Sequence, residues 1–216
     1  MWKSGAQTAQ LPPFRKTYSG DTGRVFRLFR SSEDERRELL TAASKLPVSS
    51  PHLLTAAAGL LGTPPTGFVH DFSRTNLGQG QHTFEAARDA FLRWQQFDLG
   101  WVQAVNPTAK ITPGQTVGVE AHTAYLWSVS FNRIVETVDS PSRFGFMYGT
   151  TALHVEQGQE RFILEFDPST EAVSYLIEAV SRPRHPLARL GYPFSRAMQR
   201  RFARDSHARL RRYIHG

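Results

Sequence analysis

From Trp101 to Ser181 apolar and polar residues alternate with a period close to two, while the segments on either side repeat every three to four residues. The alternating run predicts strands at about 101–106, 115–124, 125–138, 143–153, 159–167 and 172–181. Their separators carry turn residues: Pro113-Gly114, Ser140-Pro141, Gln157-Gly158 and Asp167-Pro168-Ser169. Consecutive strands with connections this short imply an antiparallel meander. On the last strand Val173, Tyr175, Ile177 and Ala179 share one face. Leu176 and Val180 make the other face apolar too, so burial is expected on both sides.

The flanking segments read as helices and connectors. Residues 1–13 form a polar lead-in ending in Pro12-Pro13. A hairpin is expected over Phe14–Arg30 around Gly20-Asp21-Thr22-Gly23. Ser31 or Ser32 can cap a helix whose first turn holds Glu33, Asp34 and Glu35, where carboxylates oppose the helix dipole. Pro47 ends it. Residues 47–66, with four prolines, read as loop with at most one helical turn. Thr66–Thr75 reads as a strand, and Gly78 and Gly80 open a turn. A helix then runs from Thr83, its expected N-cap, to Phe97, with Phe84, Ala87, Phe91, Trp94 and Phe97 on one side. The last helix is expected from about Pro186 to Ile214, with a kink at Pro193. Its apolar stripe is Phe194, Met198, Phe202, Leu210 and Ile214, with Ser206 in the gap. Helices, a run of strands and one long amphipathic helix make an α+β pattern. The expected fold is a curved antiparallel sheet around that helix, in one domain over residues 14–216.

Composition narrows the function. The absence of cysteine excludes disulfides, thiolate catalysis and zinc–thiolate sites. No apolar run approaches a membrane span, so no transmembrane segment is expected and a soluble cytoplasmic protein is the expectation. The net charge of +7 is local: Arg182–Arg212 holds ten arginines and one acid, Asp205. Three readings of that helix stay open: a solvated outer face, a phosphate-binding face for nucleic acid, or a contact with anionic lipid or a partner protein. Arg189, Arg196, Arg200, Arg204 and Arg211 share its outer side loosely. Neither GxxxxGK[ST] nor GxGxxG occurs, and no cofactor is implied.

One cluster could carry chemistry. If a hairpin turns at Gln157-Gly158, His154 and Glu160 become cross-strand neighbours or diagonals, with Tyr148 nearby. A His beside a carboxylate is an oriented general base, a polar contact for a ligand, or a structural pair. A metal site would need a third ligand such as His122 or Asp98. Arg182, where the last strand becomes the last helix, either reaches an anionic group at a pocket mouth or pairs with Glu178. Trp94, Trp101, Trp127 and Tyr125 line a cavity or fill a core.

Several segments together resemble a known but uncharacterised group. They are FEAARDAFLRWQQF (Phe84–Phe97), GFMYGT (Gly145–Thr150), GQERF (Gly158–Phe162), SRPRHPLARLGYP (Ser181–Pro193) and the Gln199-Arg200-Arg201-Phe202 run. They are similar to the family of "domain of unknown function nineteen-ninety", grouped with the START-like helix-grip superfamily of birch-pollen-allergen type proteins and polyketide cyclases. The resemblance spans roughly Gly67–Tyr213. It departs after YGT, where TALHVE replaces a Gly- and Pro-containing stretch, and at Leu53–Gly62. It implies a helix-grip fold with a cavity between sheet and C-terminal helix, and it brings no established activity.

The expectation is therefore a single-domain protein binding a small apolar or amphipathic molecule. The expected walls are Phe131, Phe146, Tyr148, Phe162 and Met198, with His154, Glu160 and Arg182 as polar contacts. The alternatives are a cyclase- or hydrolase-type enzyme in the same pocket, or a binding module for nucleic acid or an anionic surface working through the basic helix. No sequence feature fixes an oligomeric state.

Overall fold

The structure, a computed structural model, describes residues 26–152, 154, 156–184 and 192–216. Among the described residues, ten strands and three α-helices follow in the order β1 (Phe26–Arg27), α1 (Glu33–Ala43), β2 (Leu54–Thr55), β3 (Gly59–Leu60), β4 (Val69–Gln79), α2 (Gln81–Leu92), β5 (Val102–Ala104), β6 (Thr116–Thr123), β7 (Leu126–Ser140), β8 (Arg143–Thr150), β9 (Glu156–Phe166), β10 (Ala172–Pro183) and α3 (Tyr192–His215). A 3₁₀ turn, Gln95–Phe97, follows α2. The main sheet is antiparallel, ordered β4-β10-β9-β8-β7-β6-β5, with β1 paired to β7. The expected meander is β5 to β10, closed by β4 against β10.

Helices α2 and α3 occupy the concave side. Phe84, Phe91, Trp94 and Phe97 from α2 and its 3₁₀ turn meet Phe144, Phe146, Phe162, Leu164 and Tyr175 from the sheet. Several of these rings meet edge-on or tilted, as between Phe91 and Tyr175 at 5.2 Å. Leu210 completes this core from α3. This is the curved sheet around a long helix that the sequence pattern implied, and the helix-grip fold that the resemblance implied.

The convex side is covered as well. Helix α1 starts at Ser32, whose Oγ accepts the Glu35 N–H at 3.2 Å, and it ends with Arg133 donating to the carbonyls of Ala43 and Ser44. Its Leu39 and Ala43 pack on Val129 and Phe131. Glu120, 1% exposed, sits beneath with Arg30 and Gln103 as donors. Residues 53–60 cover β8, β9 and β10. Leu54 and Ala56 pack on Met147 and Val180, and the Gln159 side chain accepts the Leu53 and Leu54 N–H groups. Below them Arg161 Nε donates to Glu178 Oε2 at 2.5 Å, both side chains about 5% exposed, and His70 Nε2 lies 2.8 Å from Glu178 Oε1.

Several sequence expectations change. The region 47–66 holds a strand pair, β2–β3, which clustered prolines disguised as loop. Helix α2 begins after Gly80, whose positive φ turns the chain. Thr83 caps nothing, because its hydroxyl donates to the Gln79 carbonyl. Pro193 sits in the first turn of α3, where a missing N–H costs no helical bond, so it kinks nothing. The hairpin expected over 14–30 lies largely outside the described residues, as does the helix start expected at Pro186. Gln157-Gly158 is inside β9, and the connection from β8 precedes it. The register therefore pairs Glu160 with Tyr148 and not with His154.

Candidate functional site

The apolar stripe of α3 is used twice. Its C-terminal half is packed: Leu210 is in the core, Tyr213 Oη donates to Asp89 of α2 at 2.7 Å, and Ser206 is hydrogen-bonded to Tyr175 at 2.9 Å. Its N-terminal half, with Phe194, Met198, Phe202 and Ala203, borders open space, although the Phe202 ring also meets Phe97 and Phe162 at the edge of the core. The sheet below presents small side chains: Val119 and Ala121 on β6, Ser128 and Ser130 on β7, Gly158 on β9, Ala179 and Ser181 on β10. Large residues above and small ones below leave a cavity of about 1070 Å³, with Phe97, Trp101 and Val102 along one side. That is at the upper end of the range of ligand sites, about 300–1,000 Å³.

Polar groups lie on the sheet floor. Tyr148 on β8 and Glu160 on β9 are directly opposed, and the phenol donates to Glu160 Oε2 at 2.6 Å. Burial is the main cause that pushes the Glu160 carboxyl up to about 7, against the Tyr148 hydrogen bond, with Glu156 and Asp71 adding repulsion. Burial likewise raises Tyr148 well above its ordinary value. Glu156 accepts from Ser181 Oγ and Gln199 Nε2, and burial raises its carboxyl too. His154 Nδ1 lies 3.0 Å from the Glu156 amide nitrogen and 3.1 Å from its carbonyl oxygen, and burial lowers its pKa to about 4. His207 on α3, with an unpartnered Nε2, is lowered to about 4 by burial. At the rim Arg196 of α3 forks onto both carboxylate oxygens of Asp71 and donates to Gln199 Oε1.

Of the expected contacts, Tyr148, His154, Glu160 and Met198 line the cavity. The others lie elsewhere. Phe131 points to the convex side, where it packs on Leu39 under α1, because strand alternation gives the inward positions of β7 to Ser128, Ser130 and Asn132. Phe146 and Phe162 are inward but wholly buried in the aromatic core. Arg182 faces outward, bonded to Gln157 Oε1 with its guanidinium over Phe68. Glu178 is taken by Arg161, so the Arg182–Glu178 pair does not form. Among the four aromatics, Trp101 lines the cavity, Trp94 is core, Trp127 stacks on His122 away from the cavity, and Tyr125 is 89% exposed. Sequence reasoning missed Asp71, Asn132, Glu156 and Gln199. The signal was Ser128-Val129-Ser130-Phe131-Asn132, where alternation puts polar residues on one face, and here that face is the inner one.

Most arginines of α3 are spent within the molecule. Arg201 and Arg204 bond Asp205, Arg209 bonds Asp98, and Arg211 bonds the Asn76 carbonyl and Thr75. Arg189 lies outside the described residues. Among the described residues no three His, Asp or Glu gather as a metal set, and no helix is long and apolar enough to cross a membrane.

Residues 54–209 match the family described as Domain of unknown function (DUF1990). The chain belongs to the DUF1990 family. A UPF0548 protein of Dictyostelium discoideum is 36% identical over 152 residues, 65% of this chain and 70% of that one. One of Arabidopsis thaliana is 29% identical over 154 residues, 68% of this chain and 74% of that one. Among solved structures, Ara h 8.0201 aligns with a TM-score of 0.41 and 10% identity, over 67% of this DUF1990 chain and 98% of its own. The di-domain ARO/CYC BexL of the BE-7585A biosynthetic pathway aligns with a TM-score of 0.47 and 13% identity, over 70% of this chain and 52% of its own.

Proposed function

We propose that this DUF1990 protein binds a small apolar or amphipathic molecule between the sheet and the N-terminal half of α3. The observation that carries the reading is the unfilled stripe: Phe194, Met198 and Phe202 stand over Ser128, Ser130, Gly158 and Ala179 with about 1070 Å³ between them. An apolar helix face left unpacked forgoes burial worth about 25 cal/mol per Å², which a bound molecule supplies. Native mass spectrometry of protein from its own host tests this. A bound small-molecule mass is expected in the wild type and is expected to vanish in Ala179→Phe or Ser130→Phe, with thermal unfolding retained. An empty protein that also takes up no apolar fluorophore overturns the reading.

A second reading, acid–base chemistry of cyclase or hydrolase type on the same molecule, is favoured by one observation. Glu160 faces the cavity with its carboxyl pushed up to about 7, where it can both hold and release a proton near neutral pH. That reading predicts turnover lost in Glu160→Gln while binding persists.

A further inference from the structure

The cavity floor is short of positive charge. Three carboxylates, Asp71, Glu156 and Glu160, line it from β4 and β9. The guanidinium of Arg196 is forked onto Asp71 at the rim. Glu156 is held by two neutral donors, Ser181 and Gln199. Glu160, in the same cross-strand row as Asp71 with Ala179 of β10 between them, has the Tyr148 phenol as donor and no cationic partner among the described residues. Arg200 and Arg204 also border the space but are exposed on the outer turn of α3, with Arg204 bonded to Asp205.

The remaining titratable neighbours add no cation. His154 on the floor and His207 on α3 titrate near 4 and are neutral under physiological conditions. Tyr148 and Tyr175 keep their protons.

A second observation is independent of charge. Asn132 on β7 lines the same floor, is 1% exposed, and its Oδ1 has no hydrogen-bond partner. Its neighbour across the strand pair is Thr150, two residues beyond Tyr148. A buried acceptor without a donor is a standing cost that a donor in the cavity removes.

Resting on the binding reading above, we infer that the molecule held here is an amphipathic cation: a protonated amine whose ammonium group docks against Glu160 while its apolar body lies under Phe194, Met198 and Phe202. An ammonium supplies the missing charge and up to three N–H donors to Glu160, while Asn132, two strands away on the same floor, leaves an acceptor for a further donor on the ligand. A ligand carboxylate would bring a further negative charge onto a floor that already holds three. A neutral alcohol offers one donor and no charge.

Calorimetric titration of the full chain at pH 7 with n-octylamine, octan-1-ol and octanoate tests this, because the three share one apolar body. The amine is expected to bind about tenfold or more tighter than the alcohol, and octanoate weakest. Glu160→Gln is expected to erase the amine's advantage and leave the alcohol unchanged. Amine affinity is expected to rise between pH 6 and 8, as Glu160 gives up its proton, while alcohol affinity stays flat. Equal binding of all three overturns the amine inference and leaves the cavity reading intact. Octanoate binding best, or an amine preference that survives Glu160→Gln, also overturns it. Binding of none overturns both. Should Glu160→Gln fail to fold, wild-type titrations in buffers of different ionisation enthalpy decide the matter. Proton release with the amine and none with the alcohol supports the inference, and no release with the amine overturns it.

Discussion

Tyr148 donates a phenol hydrogen bond to Glu160 Oε2 at 2.6 Å across the β8–β9 pair, and neither residue meets a cation there. The hydrogen bond eases a buried carboxylate without neutralising it, so burial still governs the titration.

The consequence for stability has a definite sign. Between the ordinary carboxyl value of 4.5 and about 7, the folded chain keeps a proton on Glu160 that the unfolded chain has lost. Stability from this group therefore falls as pH rises through that window. His154 and His207 act oppositely: lowered from 6.5 to about 4, they cost stability as pH falls through 6.5 towards 4. In the wild type the two slopes partly cancel. Glu160→Gln is expected to gain on the order of 2 kcal/mol over wild type at pH 8 and almost nothing at pH 4.5. Urea denaturation at the two pH values measures it, and a pH-independent difference would refute the assignment.

The Arg161–Glu178 pair beneath the β2–β3 strand pair makes a separate prediction. Glu178→Ala strands a guanidinium at a site only about 5% exposed and is expected to cost about 3–5 kcal/mol. The double change Arg161→Met with Glu178→Leu is expected to cost much less, because no charge is left behind. Gly59, with φ +83, lies so close that a Cβ would sit 2.5 Å from Glu178 Oε2. Denaturant midpoints of the single and double variants decide this.

Two glycines of the motifs GFMYGT and GQERF sit where neighbouring backbone comes close. A Cβ on Gly145 would collide with the Phe162 carbonyl oxygen, and one on Gly158 with the Val180 carbonyl oxygen. Gly145→Ala and Gly158→Ala are each expected to lose about 2 kcal/mol or more by forcing backbone apart, against about 1 kcal/mol for Gly114→Asn, whose Cβ meets no atom and whose only cost is the φ of +87, which Asn tolerates best. Equal thermal shifts for all three would contradict the packing argument.

The Arg196–Asp71 fork ties the unpacked half of α3 to β4. Asp71→Asn is expected to speed amide exchange over residues 196–204 severalfold while residues 207–214 keep their protection. Hydrogen exchange read by mass spectrometry separates the two halves. Uniform loosening of the helix would show that the fork is not a local restraint.

The meander was legible because Ser140-Pro141 and Asp167-Pro168-Ser169 mark the β7–β8 and β9–β10 turns and the alternation survives from β6 to β10, although the turn expected at Gln157-Gly158 is strand. The α1 cap was legible because Ser32 and three acids are a local code. The candidate site was only half legible. Tyr148, His154 and Glu160 were found as chemistry-bearing side chains near one connection and Met198 from the apolar stripe of the last helix, but Phe131 was chosen for its ring alone. Sequence alternation does not say which face is concave, and on β7 the apolar face, Val129 and Phe131, serves α1 outside. A cavity is made by what is small, so Ser128, Ser130 and Ala179 define it, and these left no mark in a search for large walls. The β2–β3 strand pair was hidden for another reason. Leu53 and Leu54 are held by the Gln159 side chain, a partner more than a hundred residues away.

Helix α3 behaves mechanically as a cantilever. It is clamped from Ser206 onward by Tyr175, Leu210 and Tyr213, while the span back to Phe194 is held more lightly, by the Phe202 ring against Phe97, the Gln199–Glu156 hydrogen bond and the Arg196–Asp71 fork. At 1.5 Å per residue that span is about 18 Å long. A tilt of about 10° at the clamp would carry Phe194 about 3 Å, close to the width of a methylene chain, with every core contact beyond Ser206 kept. Under the proposed binding function, admission of a guest would ask for bending at one point and melting nowhere.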